Sequence, residues 1–202
     1  MKVPSAALLI SVFCFSHAAD KVKVSVYYET ICSDCKIFIR DQLQGTYDSL
    51  SQYIDLDLVP FGKGSAEKNG DKWEIECQHG PKECYGNAYH SCAVKIAPTA
   101  TALAFATCTF SQDDPASDDV IKMCAKDAGI SYNRLKHCKE TKGNELLAAN
   151  ADRSRGVGYA TVPAVAFDGT YDVMNSMIAT TSMKQLTCSF LGDAPADCKT
   201  QM

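Results

Sequence analysis

Two cysteines separated by two residues lie near the start of the chain, in the stretch Cys32-Ser33-Asp34-Cys35. Such a pair can ligate a metal, form a permanent structural disulfide, or cycle between dithiol and disulfide. A zinc site needs two further ligands, usually a second Cys-x-x-Cys or paired histidines, and the spacing of the other cysteines and histidines matches neither pattern. We therefore predict no metal at this pair.

The residues around the pair predict a strand, a turn and a helix. Val22 to Tyr28 is rich in β-branched and aromatic residues, apolar residues recur at helical spacing from Cys35 onward, and Ile54 to Phe61 again has strand character. This βαβ order places Cys32 at a helix N-terminus, where backbone amides and the helix dipole stabilise a thiolate. Cys32 is therefore expected to be the exposed, attacking cysteine. Cys35 lies on the same helix face, shielded but within reach of a mixed disulfide on Cys32. The context therefore favours redox chemistry over a structural bond.

Asp34 lies inside the motif and opposes ionisation of Cys32, because a neighbouring carboxylate disfavours a thiolate. The sequence does not decide whether the helix terminus or this carboxylate dominates. The motif supplies no cationic partner that would strongly stabilise the reduced form, and strong stabilisation of that form makes a dithiol an oxidant. We therefore expect a reductant.

The rest of the chain completes a second structural unit. Residues 63–70 predict a turn-rich loop, and a helical insertion is expected over about residues 84–150. Strand character returns near the C-terminus, with an Asp-Gly hairpin turn followed by a closing helix. The helices are predicted at Ala88–Phe110, Val120–Ala128, Tyr132–Asn150 and Met177–Phe190, and the strands at Thr161–Phe167 and Thr170–Val173. The order βαβ, insertion, ββα predicts an α/β thioredoxin-like fold.

Val162 and Pro163 open the predicted strand that should lie beside Cys32. In thioredoxin-like folds a proline faces the dithiol from this position. A cis X-Pro bond costs only about 0.5–1 kcal/mol. It would turn the Val162 backbone toward a substrate strand, so we predict that Val162 and Pro163 bind substrate by strand addition. The alternative is an ordinary trans proline at the start of an edge strand.

The N-terminal residues predict targeting rather than structure. Lys2 precedes an apolar run of about ten residues, and small residues follow, so residues 1–19 predict a signal peptide with cleavage near position 18 or 19. Residues 20–202 are then expected to form one domain. Of the eleven cysteines, Cys14 lies in the signal, and the even number remaining is consistent with disulfide pairing in an oxidising compartment. Cys188 and Cys198 are a plausible local pair.

Charge and hydropathy exclude several classes of partner. The net charge is −4 with a pI near 5.5 and no basic cluster, so nucleic acid is not expected as a partner. An apolar run of about ten residues falls short of the roughly 20 that a bilayer span needs, so no membrane anchor is expected. None of the six asparagines begins an Asn-x-Ser/Thr sequon.

A second motif is more specific than the cysteine pair. Cys77 to Cys92 follows the pattern C-Q-H-G-x2-E-C-x2-N-x4-C, with eight fixed positions in sixteen residues. This segment resembles the signature of the gamma-interferon-inducible lysosomal thiol reductase family, and the similarity extends from Val22 to about Cys198. We refer to its eight fixed residues as the signature. Its cysteines are expected to be structural, Gly80 and Asn87 to serve turns or capping, and His79 and Glu83 to bond locally.

The resemblance implies a thioredoxin-like enzyme that reduces disulfides of protein substrates at acidic pH, using Cys32 and Cys35 and a small-thiol electron donor. Val162 and Pro163 match the proline loop of the family. No cofactor is implied. The missing sequon separates this chain from relatives that reach lysosomes through N-glycans, so both secretion and an endosomal or lysosomal lumen are expected destinations. A disulfide isomerase or oxidase of the secretory pathway, and a non-catalytic secreted binding protein, are the alternatives; the C-terminus carries no retention signal for the first.

Overall fold

A computed structural model describes residues 21–192 and 195–199 of the chain. The predicted signal peptide at residues 1–19 lies outside this range. The strands are β1 (Val22–Tyr28), β2 (Ile54–Pro60), β3 (Ser65–Asn69), β4 (Lys72–Glu76), β5 (Ala164–Phe167) and β6 (Thr170–Tyr171). The helices are α1 (Ser33–Phe38), α2 (Gln44–Leu50), α3 (Pro81–Ile96), α4 (Thr99–Phe110), α5 (Asp118–Asp127), α6 (Tyr132–Ser154), α7 (Val173–Phe190) and α8 (Ala196–Lys199).

A four-stranded sheet in the order β2-β1-β5-β6 forms the centre of the fold. Strand β1 pairs in parallel with β2 and antiparallel with β5, and β5 pairs antiparallel with β6. The first two strands and the helices between them are the βαβ unit, and the last two strands with α7 are the ββα unit. The predicted α/β thioredoxin-like fold is therefore confirmed.

The helix after Cys32 continues from α1 through a π-helical segment, Ile39–Leu43, into α2. The apolar positions predicted to form one face are all buried: Cys35, Ile39, Leu43, Thr46 and Leu50. This face packs on the sheet and thereby sets the position of the first helical turn.

The segment after β2 differs from the prediction. Instead of a turn-rich loop over residues 63–70, the chain forms a separate two-stranded hairpin of β3 and β4, closed by a turn at Gly70 and Asp71. Gly70 has a φ of 61°, the left-handed conformation that glycine adopts most readily. Strand β4 alternates polar and apolar residues, with Trp73 and Ile75 half-buried, but β3 has a single apolar residue, Ala66, so the pair carries only a weak period-two signal in the sequence.

Four helices, α3 to α6, form the insertion between the two units, and they run from Pro81 to Ser154. The predicted single stretch Ala88–Phe110 is divided in two, because the chain becomes extended at Ala97 and Pro98 and α4 starts anew at Thr99. Disulfides stabilise this region: Cys92–Cys138 joins α3 to α6, Cys108–Cys124 joins α4 to α5, and Cys77–Cys84 closes the turn before α3.

The C-terminal unit follows the prediction with shifted boundaries. The Asp168-Gly169 turn is confirmed, with φ values of 48° and 78° at the two residues. Helix α7 begins earlier than predicted because Asp172 caps it, its carboxylate accepting the backbone N–H of Asn175 at 2.8 Å. The Cys188–Cys198 disulfide then ties α8 to α7, as predicted.

One polar cluster lies inside the core between β1 and the insertion. The imidazole of His90 is buried, with Nδ1 at 3.1 Å from the Tyr28 hydroxyl and Nε2 at 3.0 Å from Thr109 Oγ1. Burial lowers the pKa of His90 to about 3. Among the described residues, no helix combines the length and apolar character that a bilayer crossing requires.

Candidate active site

Cys32 is the N-cap residue of α1. Its Sγ accepts the backbone N–H of Cys35 at 3.4 Å, and its own backbone is in the extended conformation typical of a helix cap. The helix is anchored by the Lys36 N–H, which donates to the Cys32 carbonyl oxygen at 3.0 Å. The predicted position of Cys32 at a strand-to-helix turn is therefore confirmed.

Both sulfur atoms are buried, which differs from the sequence-based expectation of an exposed attacking cysteine. Cys32 is 8 % exposed and Cys35 is fully buried, and neither forms a disulfide, whereas the other eight cysteines of the described chain are paired. Cys32 is covered by the segment before β5, which is remote in sequence. The motif alone could not reveal this cover.

Hydrogen bonds favour the ionised form of Cys32. Donation from the Cys35 thiol, followed by backbone N–H groups of Cys35 and Asp34, lowers the pKa of Cys32 to about 6 against the opposing effect of burial. The Asp34 carboxylate raises this pKa, and it is the last of these contributions in size. The competition that the sequence left open is thus decided in favour of the thiolate, because hydrogen bonds from the Cys35 thiol and from the first backbone amides of the helix outweigh the Asp34 carboxylate.

Cys35 has the opposite character. Burial raises the pKa of the Cys35 thiol well above its ordinary value, and the hydrogen bond that it donates to Cys32 raises it further. Above pH ~6 the pair therefore holds one proton on the inner sulfur and one negative charge on the outer sulfur. This asymmetry suits an attacking and a resolving cysteine.

Val162 and Pro163 lie directly over the pair. The peptide bond between them is cis, as predicted, and β5 begins one residue later at Ala164. The carbonyl oxygen of Val162 lies 3.7 Å from Cys32 Sγ, close enough for the thiol form of Cys32 to donate a hydrogen bond. The structure thus brings together all four residues that the sequence singled out.

Comparison with known proteins gives the chain its family. The sequence model of the family described as "Gamma interferon inducible lysosomal thiol reductase (GILT)" matches residues 23–128. A "Gamma-interferon-inducible lysosomal thiol reductase-like protein" of Anopheles gambiae is 31 % identical over 208 residues, covering 95 % of this chain and 86 % of that protein. The chain belongs to the GILT family.

Other similarities agree with this assignment. A gamma-interferon-inducible lysosomal thiol reductase of Carassius auratus is 29 % identical, over 92 % of this chain and 75 % of that protein. Among solved structures, reduced DsbA from Mycobacterium tuberculosis matches with a TM-score of 0.56 at 17 % identity, over 97 % of this chain and 96 % of that chain. MdbA, a thiol-disulfide oxidoreductase from Actinomyces oris, gives 0.59 at 15 %, over 87 % and 83 %. At these identities the structures show the fold alone.

The GILT signature packs against the segment that leads into Cys32. Asn87 accepts the backbone N–H of Thr30 on Oδ1 at 3.0 Å, and Thr30 Oγ1 donates to the Glu83 carbonyl oxygen at 3.1 Å. A Cβ at Gly86 would lie 2.5 Å from Thr30 Oγ1, so α3 approaches this segment too closely for a side chain there. Gly80 has a φ of 85° and caps α3, which agrees with its predicted turn role.

Glu29 is the residue of this site that the sequence reasoning missed. It is fully buried, and its carboxyl accepts the Lys63 backbone N–H at 2.6 Å and a hydrogen bond from Asn87 Nδ2. Burial is the main cause that raises the pKa of Glu29 to about 7, and the negative charges of Glu83 and Cys32 add to it. A glutamate directly after an apolar strand and three residues before the motif was the available signal.

Potential metal ligands meet near this glutamate. Among the described residues, Glu29, Cys77 and Glu83 form a group whose ligand atoms lie within 4.8 Å of one another. The sulfur of Cys77 is in a disulfide and offers no thiolate, and both carboxylates already accept hydrogen bonds from protein donors. The donor set as it stands does not suit a metal ion.

Proposed function

We propose that this GILT family member is a thiol-disulfide oxidoreductase that reduces disulfide bonds of protein substrates. The observation that carries the proposal is the pair Cys32 and Cys35, unbonded in a chain whose other described cysteines are paired, with a stabilised thiolate on Cys32. The names of the two curated relatives, a thiol reductase in Carassius auratus and a thiol reductase-like protein in Anopheles gambiae, support the same reaction. Reduction of insulin disulfides, compared between wild type and cysteine variants, tests it.

In the proposed mechanism, the Cys32 thiolate attacks one sulfur of the substrate disulfide and the other substrate sulfur leaves as a thiolate. Cys35 then loses its proton and attacks Cys32, and the second substrate sulfur leaves. Two electrons pass from the dithiol to the substrate. Of the two substrate sulfur atoms that leave as thiolates, one takes the proton lost by Cys35 and the other takes a proton from solvent, so two neutral thiols form and the charge of the initial Cys32 thiolate is neutralised. A small thiol reduces the resulting Cys32–Cys35 disulfide and restores the dithiol.

We assign acidic conditions to this chemistry on the basis of Cys32. With a pKa of about 6, roughly a tenth of Cys32 is ionised at pH ~5, against about one thiol in 3,000 for an unperturbed cysteine. The folded protein thus keeps a useful thiolate population in an acidic lumen. Secretion and an endosomal or lysosomal lumen both remain compatible with this range, and the family name favours the second.

The pH dependence of Cys32 gives a direct test. We expect the rate of alkylation of reduced protein by iodoacetamide, followed at Cys32 by mass spectrometry, to rise with pH around a midpoint of about 6. Asp34→Asn should move the midpoint lower, because a charge that opposes the thiolate is removed. A midpoint at or above that of a free thiol, or an upward movement in Asp34→Asn, would contradict the proposed electrostatics.

An apolar groove beside the dithiol supports protein substrates rather than small disulfides alone. The groove holds about 700 Å³ and extends from Asp34, Val162 and Pro163 along the first turns of α7. Five of its apolar side chains are 42 to 62 % exposed: Ile37, Val173, Met174, Met177 and Ile178. Because the groove is continuous with the dithiol, we propose that it binds apolar residues next to the cystine of an unfolded polypeptide.

Charge placed in the groove is expected to separate protein substrates from small ones. The double variant Met174→Glu/Met177→Glu should lower kcat/KM for insulin about tenfold or more, because burial of a methionine side chain contributes about 1.5–3 kcal/mol. Reduction of 2-hydroxyethyl disulfide, which is small and neutral, should change less than about twofold. The matched control is Met123→Glu, an exposed methionine on α5 outside the groove. Equal losses on both substrates, or no loss on insulin, would refute docking in this groove.

A further inference from the structure

The signature and the dithiol are joined by buried side chains. Asn87 contacts two residues of the segment before Cys32: its Oδ1 accepts the Thr30 N–H, and its Nδ2 donates to the Glu29 carboxyl. The carbonyl oxygen of Glu29 in turn accepts the Cys32 N–H at 3.3 Å. One amide from the signature therefore fixes both the approach to Cys32 and the orientation of a buried acid beside it.

Two acids of this region are fully buried and close together. Carboxylate oxygens of Glu29 and Glu83 lie within 4.8 Å of each other. Glu83 is compensated by His79, which donates its backbone N–H to Oε1 at 2.9 Å and places Nδ1 at 2.6 Å from Oε2. The donors to Glu29 among the described residues are the neutral amides of Lys63 and Asn87.

The charges around Glu29 are therefore unequal. Two carboxyl groups and the Cys32 sulfur compete for negative charge in a site of low polarity, and the imidazole of His79 is paired with Glu83 rather than with Glu29. Desolvation and like-charge repulsion both favour a proton on an acid that has no cation of its own. The other titratable groups near Glu29 are Tyr28 on β1, Cys35 on α1 and Tyr159 before β5, and the Lys63 ammonium binds the Ala160 carbonyl oxygen.

We propose that His79, Glu83 and Asn87 of the signature act on the dithiol through Glu29. Glu83, paired with His79, places a negative charge that favours the neutral form of the buried Glu29 carboxyl, and Asn87 fixes the orientation of that carboxyl, while Cys32 carries the negative charge. These three are positioning residues. The inference rests on the proposed function in treating Cys32 as the reactive sulfur. It gives the signature a chemical role that its local hydrogen bonding alone does not supply.

Glu29 and Cys32 then titrate as a coupled pair. The charge on Cys32 raises the pKa of Glu29, so the thiolate forms first and Glu29 ionises at higher pH. When a substrate oxidises the dithiol to the Cys32–Cys35 disulfide, the thiolate charge disappears and the pKa of Glu29 falls. The protonation of Glu29 is thereby linked to the redox state of the neighbouring pair.

Infrared spectroscopy can observe this carboxyl directly. The carbonyl stretch of a protonated carboxyl should titrate with a midpoint of about 7 in the reduced protein and at lower pH in the oxidised protein. The band should be missing in Glu29→Gln, a substitution that keeps the size of the side chain, and its midpoint should fall in Glu83→Gln because a neighbouring charge is removed. A reduced wild-type protein without this band, or a midpoint that ignores the redox state, overturns the proposal.

A double-mutant cycle separates action through Glu29 from a structural effect. At pH ~6, Glu83→Gln should slow alkylation of Cys32 about three- to fivefold, because Glu29 ionises earlier and opposes the thiolate. In the Glu29→Gln background the same substitution should have less than about 1.5-fold effect, and Glu145→Gln on the exposed face of α6 serves as the matched control. Equal effects in both backgrounds refute the coupling. Alkylation reports the charge on Cys32 whether or not the protein reduces insulin, so failure of the proposed function is distinguishable.

Discussion

Replacing Cys32 by serine is expected to lower the rate of insulin-disulfide reduction by about 10³-fold or more, because the attacking thiolate is lost. A hydroxyl at this position keeps the capping interaction with the Cys35 backbone but is not ionised at any pH of interest. Cys32 forms no disulfide, so the variant should keep its fold. The measurement is insulin reduction at pH ~5 and pH ~7 with a small thiol as electron donor.

Ser33→Ala is the matched control for this experiment. It changes an exposed residue on the same helical turn and leaves both sulfur atoms in place, so activity should stay within about twofold of wild type. Substantial reductase activity in a well-folded Cys32→Ser protein would exclude Cys32 as the attacking residue. It would also remove the main support for the proposed function.

Replacing Cys35 by serine is expected to stop the reaction at the mixed disulfide. The attack by Cys32 remains possible, but no internal thiol can resolve the product. In a single turnover without small thiol, mass spectrometry should find one insulin chain attached to Cys32 in most molecules, and steady-state turnover should fall about a hundredfold or more.

The double variant Cys32→Ser/Cys35→Ser provides the comparison for the trapping experiment and should form no adduct. An adduct at one of the cysteines of the four disulfides would point to reaction at a structural bond instead. Because Cys35 is fully buried, its serine replacement also leaves a polar group inside the protein. The stability of the variant should therefore be measured by thermal unfolding alongside the trapping.

The parts of the fold that the sequence predicted are those with local signals. The alternation in Val22–Tyr28 and the buried helical face from Cys35 to Leu50 depend on neighbouring residues, so periodicity was sufficient. The Asp168-Gly169 turn was also predictable from the sequence, because few residues other than glycine tolerate the positive φ at its second position. The hairpin β3–β4 was missed, since only β4 alternates and its partner β3 has no β-branched or aromatic residue.

In the site, too, the features set by neighbouring residues were predicted from the sequence, and those set by residues distant in the chain were not. The spacing of Cys32 and Cys35 and the turn that holds them are local, and their position was predicted correctly. The burial of Cys32 comes from Val162, 130 residues away in the chain, and the neighbours of Glu29 come from Glu83 and Asn87 more than fifty residues away. No sequence pattern indicates that a single acidic residue after a strand is buried. The role of Glu29 in the site could therefore be recognised only from the structure.

The enclosed imidazole of His90 has a consequence for how the fold responds to acidification. A histidine held neutral in the folded state contributes stability above its unfolded pKa of 6.5, and this contribution is lost progressively as the pH falls toward 3. Between pH ~7 and pH ~5 the loss is about 2 kcal/mol. Acidification alone would therefore weaken the core around Tyr28 and Thr109.

Glu29 changes the free energy of unfolding in the opposite direction. Its folded pKa is raised from 4.5 to about 7, so its contribution is fully present below pH 4.5 and disappears as the pH rises through 7. Over the interval from neutral to pH ~5 this gain is also about 2–3 kcal/mol. The two enclosed groups exchange protons with solvent in compensating senses, so the stability lost at His90 on acidification is offset by the stability gained at Glu29.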